Sequence, residues 1–166
     1  MYLRFNRNET EMNSNSQLQS LTDQQEIQNC IINYCYYFDT NQPEKIIRLF
    51  ADNATIDYGP EVKSSQGHIE ILEAISKGLA NTFAATSHHV SNFRVEILDN
   101  QSATLICYLY AWHEYKATAV IGHLWGQYHL KLERIGGHWM ISSLVLKATG
   151  MQDFHRTKMH PIGRLT

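Results

Sequence analysis

No stretch of this chain approaches the roughly 18 consecutive apolar residues that a membrane-spanning helix needs, so no membrane insertion is expected. Arg4 and Arg7 stand near the N-terminus without an apolar stretch behind them, which is not the pattern of a secretory leader. A basic excess is missing too. The 14 Lys and Arg against 16 Asp and Glu leave a formal net charge of -2 and no electrostatic footprint for DNA or RNA. Cysteine is scarce, and Cys30, Cys35 and Cys107 form no CxxC pair, so buried thiols are expected. Glycine-rich phosphate loops, GxSxG elbows and zinc-binding signatures are absent, which removes nucleotide-dependent and serine-hydrolase chemistry. The expectation is a soluble cytoplasmic protein with no cofactor and no metal.

What is present suits one domain. The 166 residues are 43% hydrophobic and 18% charged, enough to bury about two thirds of the surface that the unfolded chain exposes. Residues 1–20 are polar, rich in Asn, Ser and Gln from Asn13 to Ser20, and read as a flexible N-terminal arm. The spacing predicts a first helix from Thr22, where Thr22 and Gln25 suit a reciprocal capping box, to Asp39. Ile27, Ile31, Tyr34, Cys35 and Phe38 form its apolar stripe. Pro43 suits the first turn of a second short helix carrying Ile46, Ile47, Leu49 and Phe50 and ending at Asp52 and Asn53. A short strand then runs from Ala54 to Tyr58, and a third helix from about His68 to Leu79, with Ile69, Leu72, Ile75 and Leu79 on one face. From residue 86 the period becomes two. Residues 86–98, 102–116, 119–135 and 138–148 read as long strands, the last two joined by the hairpin signal of Gly136 and Gly137. Three N-terminal helices packed on a curved, mainly antiparallel sheet make an α+β domain over residues 21–150, followed by a tail, residues 151–166, of no clear period.

On the second long strand Leu105, Cys107, Leu109, Ala111 and His113 share one face, and Ile106, Tyr108, Tyr110 and Trp112 share the other. The latter face is too aromatic to be left in water, so a homodimer or homotrimer is expected. His88 and Val90 point together on the preceding strand, and His88 meets His113 if the register suits. Asp39, Tyr34 and Tyr58 lie on elements that such a sheet gathers round one cavity. A carboxylate bonded to one imidazole nitrogen sets the tautomer and leaves the other nitrogen to take a proton. A buried Tyr hydroxyl donates to a carbonyl oxygen as negative charge develops there. Each residue alone has a plainer reading: Asp39 as a helix terminator, Tyr34 as core, His88 beside His89 as a satisfied or exposed histidine. Nine histidines also raise a two-His-one-carboxylate metal set from Asp39, His88 and His113, which no HxxxH or HxH spacing supports.

The run Tyr34-Cys-Tyr-Tyr-Phe-Asp39, the segment from Arg48 to Tyr58 and the triplet from Thr86 to His88 resemble the SnoaL-like family of the nuclear transport factor 2-like superfamily. So does the stretch from Tyr128 to Arg134 with the following Gly136 to Ile141, and the likeness covers roughly residues 20–148. The resemblance implies a cone-shaped α+β barrel, shared with scytalone dehydratase, ketosteroid isomerase, bile-acid dehydratase and hexachlorocyclohexane dehydrochlorinase, and cofactor-free chemistry in its pocket. It implies His88 as base, Asp39 as its support, Tyr58 and His113 as the dehydratase tyrosine and second histidine, and Tyr34 as the tyrosine of the bile-acid branch. Phe38 departs from scytalone dehydratase, as do Trp125 and Gln127 in place of its Ser and Asn, which argues against scytalone itself. Val90, Leu109, Trp125 and Gln127 are the expected lining for a small apolar cyclic ligand. The expected function is a lyase or isomerase of dehydratase type. The alternatives are a non-catalytic binding or assembly module, and a protein like the small subunit of ring-hydroxylating dioxygenases.

Overall fold

A computed structural model describes residues 7–163. Residues 1–6 of the expected arm and 164–166 of the tail lie outside these. The chain begins with a helix, α1 (Arg7–Asp39), whose buried stripe is Ile27, Cys30, Ile31, Tyr34, Cys35 and Phe38. The start of this helix corrects the sequence reading, because Thr22 is interior and caps nothing. Its hydroxyl donates to the Leu18 carbonyl one turn back, and Gln25 bonds the Asn29 side chain. From Ser14 to Thr22 every residue is exposed, which is why the segment shows no apolar period although it is helical. At the other end Gln42 N–H donates to Tyr37 O and Asn41 N–H to Phe38 O, with Asn41 at φ 54°. That is a Schellman stop with asparagine in the left-handed position.

A single turn, α2 (Pro43–Ile46), leads through a 3-10 turn, Ile47–Leu49, into β1 (Phe50–Asp57). The expected second helix is therefore cut short. Phe50 pairs with Ile141 in the sheet, and this pairing overrides the helical spacing of Ile46, Ile47 and Phe50. After β2 (Ser65–Gln66) comes α3 (Gly67–Asn81), whose buried face is Ile71, Ile75 and Leu79, whereas Ile69 is 83% exposed.

Four long strands follow: β3 (Phe83–Ile97), β4 (Ser102–Tyr115), β5 (Ile121–Ile135) and β6 (His138–Gln152). Each pairs antiparallel with the next, β1 pairs parallel with β6, and β7 (His160–Pro161) adds to β6. The sheet, in the order β2-β1-β6-β5-β4-β3, curls round α1 and α3 without closing. Gly136 and Gly137 both take positive φ at the β5–β6 turn, as a two-residue hairpin requires. On β4 the burial alternates as its period predicts: Leu105, Cys107, Leu109, Ala111 and His113 face inward. Among the described residues no helix is long and apolar enough to cross a membrane.

The β5–β6 register shifts between Trp125 and Gly126, a bulge of the kind that bends a sheet locally. A Cβ on Gly126 would clash with the Lys147 carbonyl oxygen. Gly126→Ala is expected to destabilise the protein by about 2 kcal/mol or more, read as a lower urea midpoint. An unchanged midpoint would show that the backbone yields there.

Candidate functional site

Asp39 is the last residue of α1, at the negative end of the helix dipole, where no basic residue offsets its charge. It is held from β3 instead. Its Oδ2 accepts the His88 backbone N–H at 2.8 Å, and Oδ1 accepts Thr86 Oγ1 at 2.7 Å and His88 Nδ1 at 2.6 Å. Burial alone would raise the Asp39 pKa. The bonds and charge of His88, with the Thr86 hydroxyl, outweigh burial and hold it below the usual carboxylate value. Both partners are largely out of water, the His88 side chain 5% and the Asp39 side chain 22% exposed. Since a carboxylate only accepts, Nδ1 carries the shared proton and Nε2 is the nitrogen left for other work.

A second polar pair joins Tyr34, five residues earlier on α1, to Tyr58, one residue past β1, with 2.5 Å between hydroxyl oxygens. Burial pushes Tyr34 well above its usual pKa, helped by neighbouring Tyr58 and Tyr128. Burial likewise pushes Tyr58 up to about 12, although its bond to Tyr34 and the Arg156 charge oppose this. Both phenols are therefore protonated at neutral pH. One proton is used between them, and one remains for an acceptor in the cavity.

His88, Tyr34 and Tyr58 open onto a cavity of about 520 Å³ with apolar walls at Phe38, Ile75, Phe83 and Tyr128. That volume is in the range of small-molecule sites. One side is closed by the chain after β6. Tyr115 Oη accepts the His155 N–H, Arg156 Nη1 donates to Tyr58 O at 2.6 Å, Thr157 bonds the Glu61 carboxylate through both N–H and hydroxyl, and His160 Nε2 lies 2.9 Å from Asp57 Oδ2. Phe154, His155 and Arg156 thereby become cavity wall. The alternation of β6 runs out before them, and the sequence carries no local signal for their position.

The remaining residues expected at the site are placed differently. His113, opposite Thr86 in the β3–β4 register, packs edge-on against His88 with ring centroids 5.1 Å apart, behind the cavity wall. Its Nδ1 has no hydrogen-bond partner among the described residues, and burial, with the neighbouring His88 charge, lowers its pKa to about 3. Val90 and Leu109 face each other across β3 and β4 within the core and do not line the cavity. Trp125 and Gln127 do not reach it at all. Gly126 and Tyr128 take the inward positions of β5, so Trp125, 44% exposed, stacks with His123 on the outer face and Gln127 bonds His129 there. Parity with Leu130 and Leu132 was enough to place Tyr128 inside and both of these outside. Among the described residues no three His, Cys, Asp or Glu side chains converge with metal-binding geometry.

An unclosed α+β cone, holding a carboxylate-supported histidine and a tyrosine pair at one cavity, defines a class of small-molecule pocket proteins. Residues 19–145 match the SnoaL-like domain family, and the chain belongs to it. Among solved structures it is similar to a candidate scytalone dehydratase from Novosphingobium aromaticivorans DSM 12444, at 27% identity and TM-score 0.82 over 89% of this chain and 97% of that one. It is also similar to a hexachlorocyclohexane dehydrochlorinase from Novosphingobium barchaimii LL02, at 16% identity and TM-score 0.76 over 88% and 99% of the two chains. At that identity the likeness is one of fold. No curated protein matches by sequence.

His113 gives the native state a specific acid sensitivity. With a folded pKa of about 3 and an unfolded value of about 6.5, the unfolded chain binds a proton between these values that the native chain refuses. Stability therefore falls as pH drops from about 6.5, by at most about 1.4 kcal/mol per pH unit for this one group. Urea midpoints measured from pH 7 to 4 should fall more steeply for the native protein than for His113→Phe. Equal slopes would refute the assignment.

Proposed function

We propose that the protein is a cofactor-independent lyase or isomerase of dehydratase type, acting on a small cyclic apolar substrate with His88 as base. The observation that carries this is the desolvated 2.6 Å contact between His88 Nδ1 and Asp39 beside a cavity that His88 lines. A carboxylate on one nitrogen holds the tautomer and supports the imidazolium that forms when the other nitrogen takes a proton. In the proposed reaction Nε2 removes a proton from the carbon next to a carbonyl, and the electron pair moves to the carbonyl oxygen. The free proton of the Tyr34–Tyr58 pair stabilises that oxygen. The pair then returns to form the carbon–carbon double bond as the β-hydroxyl leaves, and His88 returns its proton to make water. In an isomerase the proton would return to another carbon. His113, neutral and edge-on to His88, orients that ring.

The family and the similarity to a candidate scytalone dehydratase support this reaction class. The test uses 3-hydroxy-1-tetralone, which yields 1-naphthol on loss of water and is followed by fluorescence. His88→Ala and Asp39→Asn should each lower kcat/KM by about 10²-fold or more. Tyr58→Phe should lower it by about tenfold or more through loss of one oxyanion donor. Turnover that survives in His88→Ala would refute His88 as the base.

We further propose that the outer face of β4 and β5, where Tyr108, Tyr110, His123 and Trp125 remain in part exposed, is covered by a second copy in a homodimer or homotrimer. Light scattering at micromolar concentration should report two or three chains. A monomer would contradict it.

A further inference from the structure

We propose that the substrate ring bears a carboxylate and that Arg156 receives it, an inference that rests on the lyase or isomerase reading of this cavity and names the substrate class. Arg156 lines the cavity, and its guanidinium carbon stands 5.7 Å from the centre of the Tyr58 ring. Its one hydrogen bond among the described residues runs from Nη1 to the Tyr58 carbonyl, and no carboxylate among them lies within 4.0 Å of it. Burial lowers its pKa from the usual guanidinium value, so part of its hydration is gone. Glu61 acts on Arg156 through its charge from beyond ion-pair distance, and a half-buried cation with no carboxylate in contact is unfavourable unless something else supplies a contacting anion.

The rest of the wall gives the same sign. Lys63 and Lys77 line the cavity, and its single lining carboxylate, Glu61, is engaged by Thr157. Three cations, Arg156 half-buried and Lys63 and Lys77 exposed, thus line the wall with one carboxylate, in a chain whose formal net charge is -2. A carboxylate is the anion that the planar guanidinium fork fits best.

Tyr58 fixes the spacing. Its carbonyl and ring face Arg156, while its hydroxyl meets Tyr34. The anion site and the carbonyl-polarising hydroxyls are therefore separated by about one phenol ring. A ligand spanning them carries its carboxylate on one side of a ring and its reacting carbonyl on the other, with the ring against Phe38 and Tyr128.

The test is calorimetric titration of the whole protein with 2-naphthoate and with its neutral counterpart, 2-naphthamide. The native protein should bind the acid about tenfold more tightly or better, with the preference shrinking as salt is raised. Arg156→Gln should abolish the preference and Arg156→Lys should keep part of it. His88→Ala should keep all of it, so this readout stands or falls separately from dehydration of the tetralone. Thr157→Val loosens the same segment without touching the charge and should also keep it. Equal binding of acid and amide by the native protein, no binding of the acid at millimolar concentration, or loss of the preference in Thr157→Val to the same degree as in Arg156→Gln would overturn the proposal.

Discussion

Three hydrogen bonds from β3 converge on one carboxylate at the end of α1, and the seating of the helix against the sheet follows from them. A negative charge at a helix C-terminus costs roughly 0.3–1 kcal/mol through the dipole, so Asp39 is poorly suited to terminate its own helix. Asn41, in the left-handed conformation, does that work. Asp39 instead fastens α1 to the strand that bears His88. One contact serves two ends: it joins two layers of the fold, and it fixes which imidazole nitrogen faces the cavity. Tyr34, five residues earlier on the same helix, is carried into place by the same seating.

Tyr58 is the second joint. It lies where β1 ends: its hydroxyl meets Tyr34, its side chain lines the cavity, and its ring and carbonyl both face Arg156. The segment after β6 docks through Arg156, Thr157 and His160 onto residues 57 to 61. The chain that shuts the cavity is thus tied to the loop that carries one of its hydroxyls. Desolvation follows, and it accounts for the raised phenols and the lowered His113 together, because removing water penalises the charged form of each.

Much of this was open to inspection in the residues themselves. The 3.6 period of Ile27, Ile31, Tyr34, Cys35 and Phe38 located the buried face of α1, and period two located the inward face of β4 from Leu105 to His113. Gly136 and Gly137 announced their hairpin. Local pattern failed where a segment packs on nothing, as from Ser14 to Thr22, and where sheet pairing claimed a residue with helical spacing, as at Phe50. At Trp125 and Gln127 it was the resemblance that failed, because the period-two pattern of β5 already placed both on the outer face.

By itself, then, the sequence determined which faces are buried, the α+β order of elements and the family, since these depend on neighbours a few residues apart. Which buried faces meet was decided by the tertiary structure. The site is made of contacts across 24 residues from Tyr34 to Tyr58, 49 from Asp39 to His88 and 98 from Tyr58 to Arg156. Such contacts depend on strand register, on the register shift beside Gly126 and on the path of the tail after β6, whose only regular element among the described residues is the two-residue β7. Periodicity carries none of these, because it records the solvent seen by each residue and not the identity of the partner across the core.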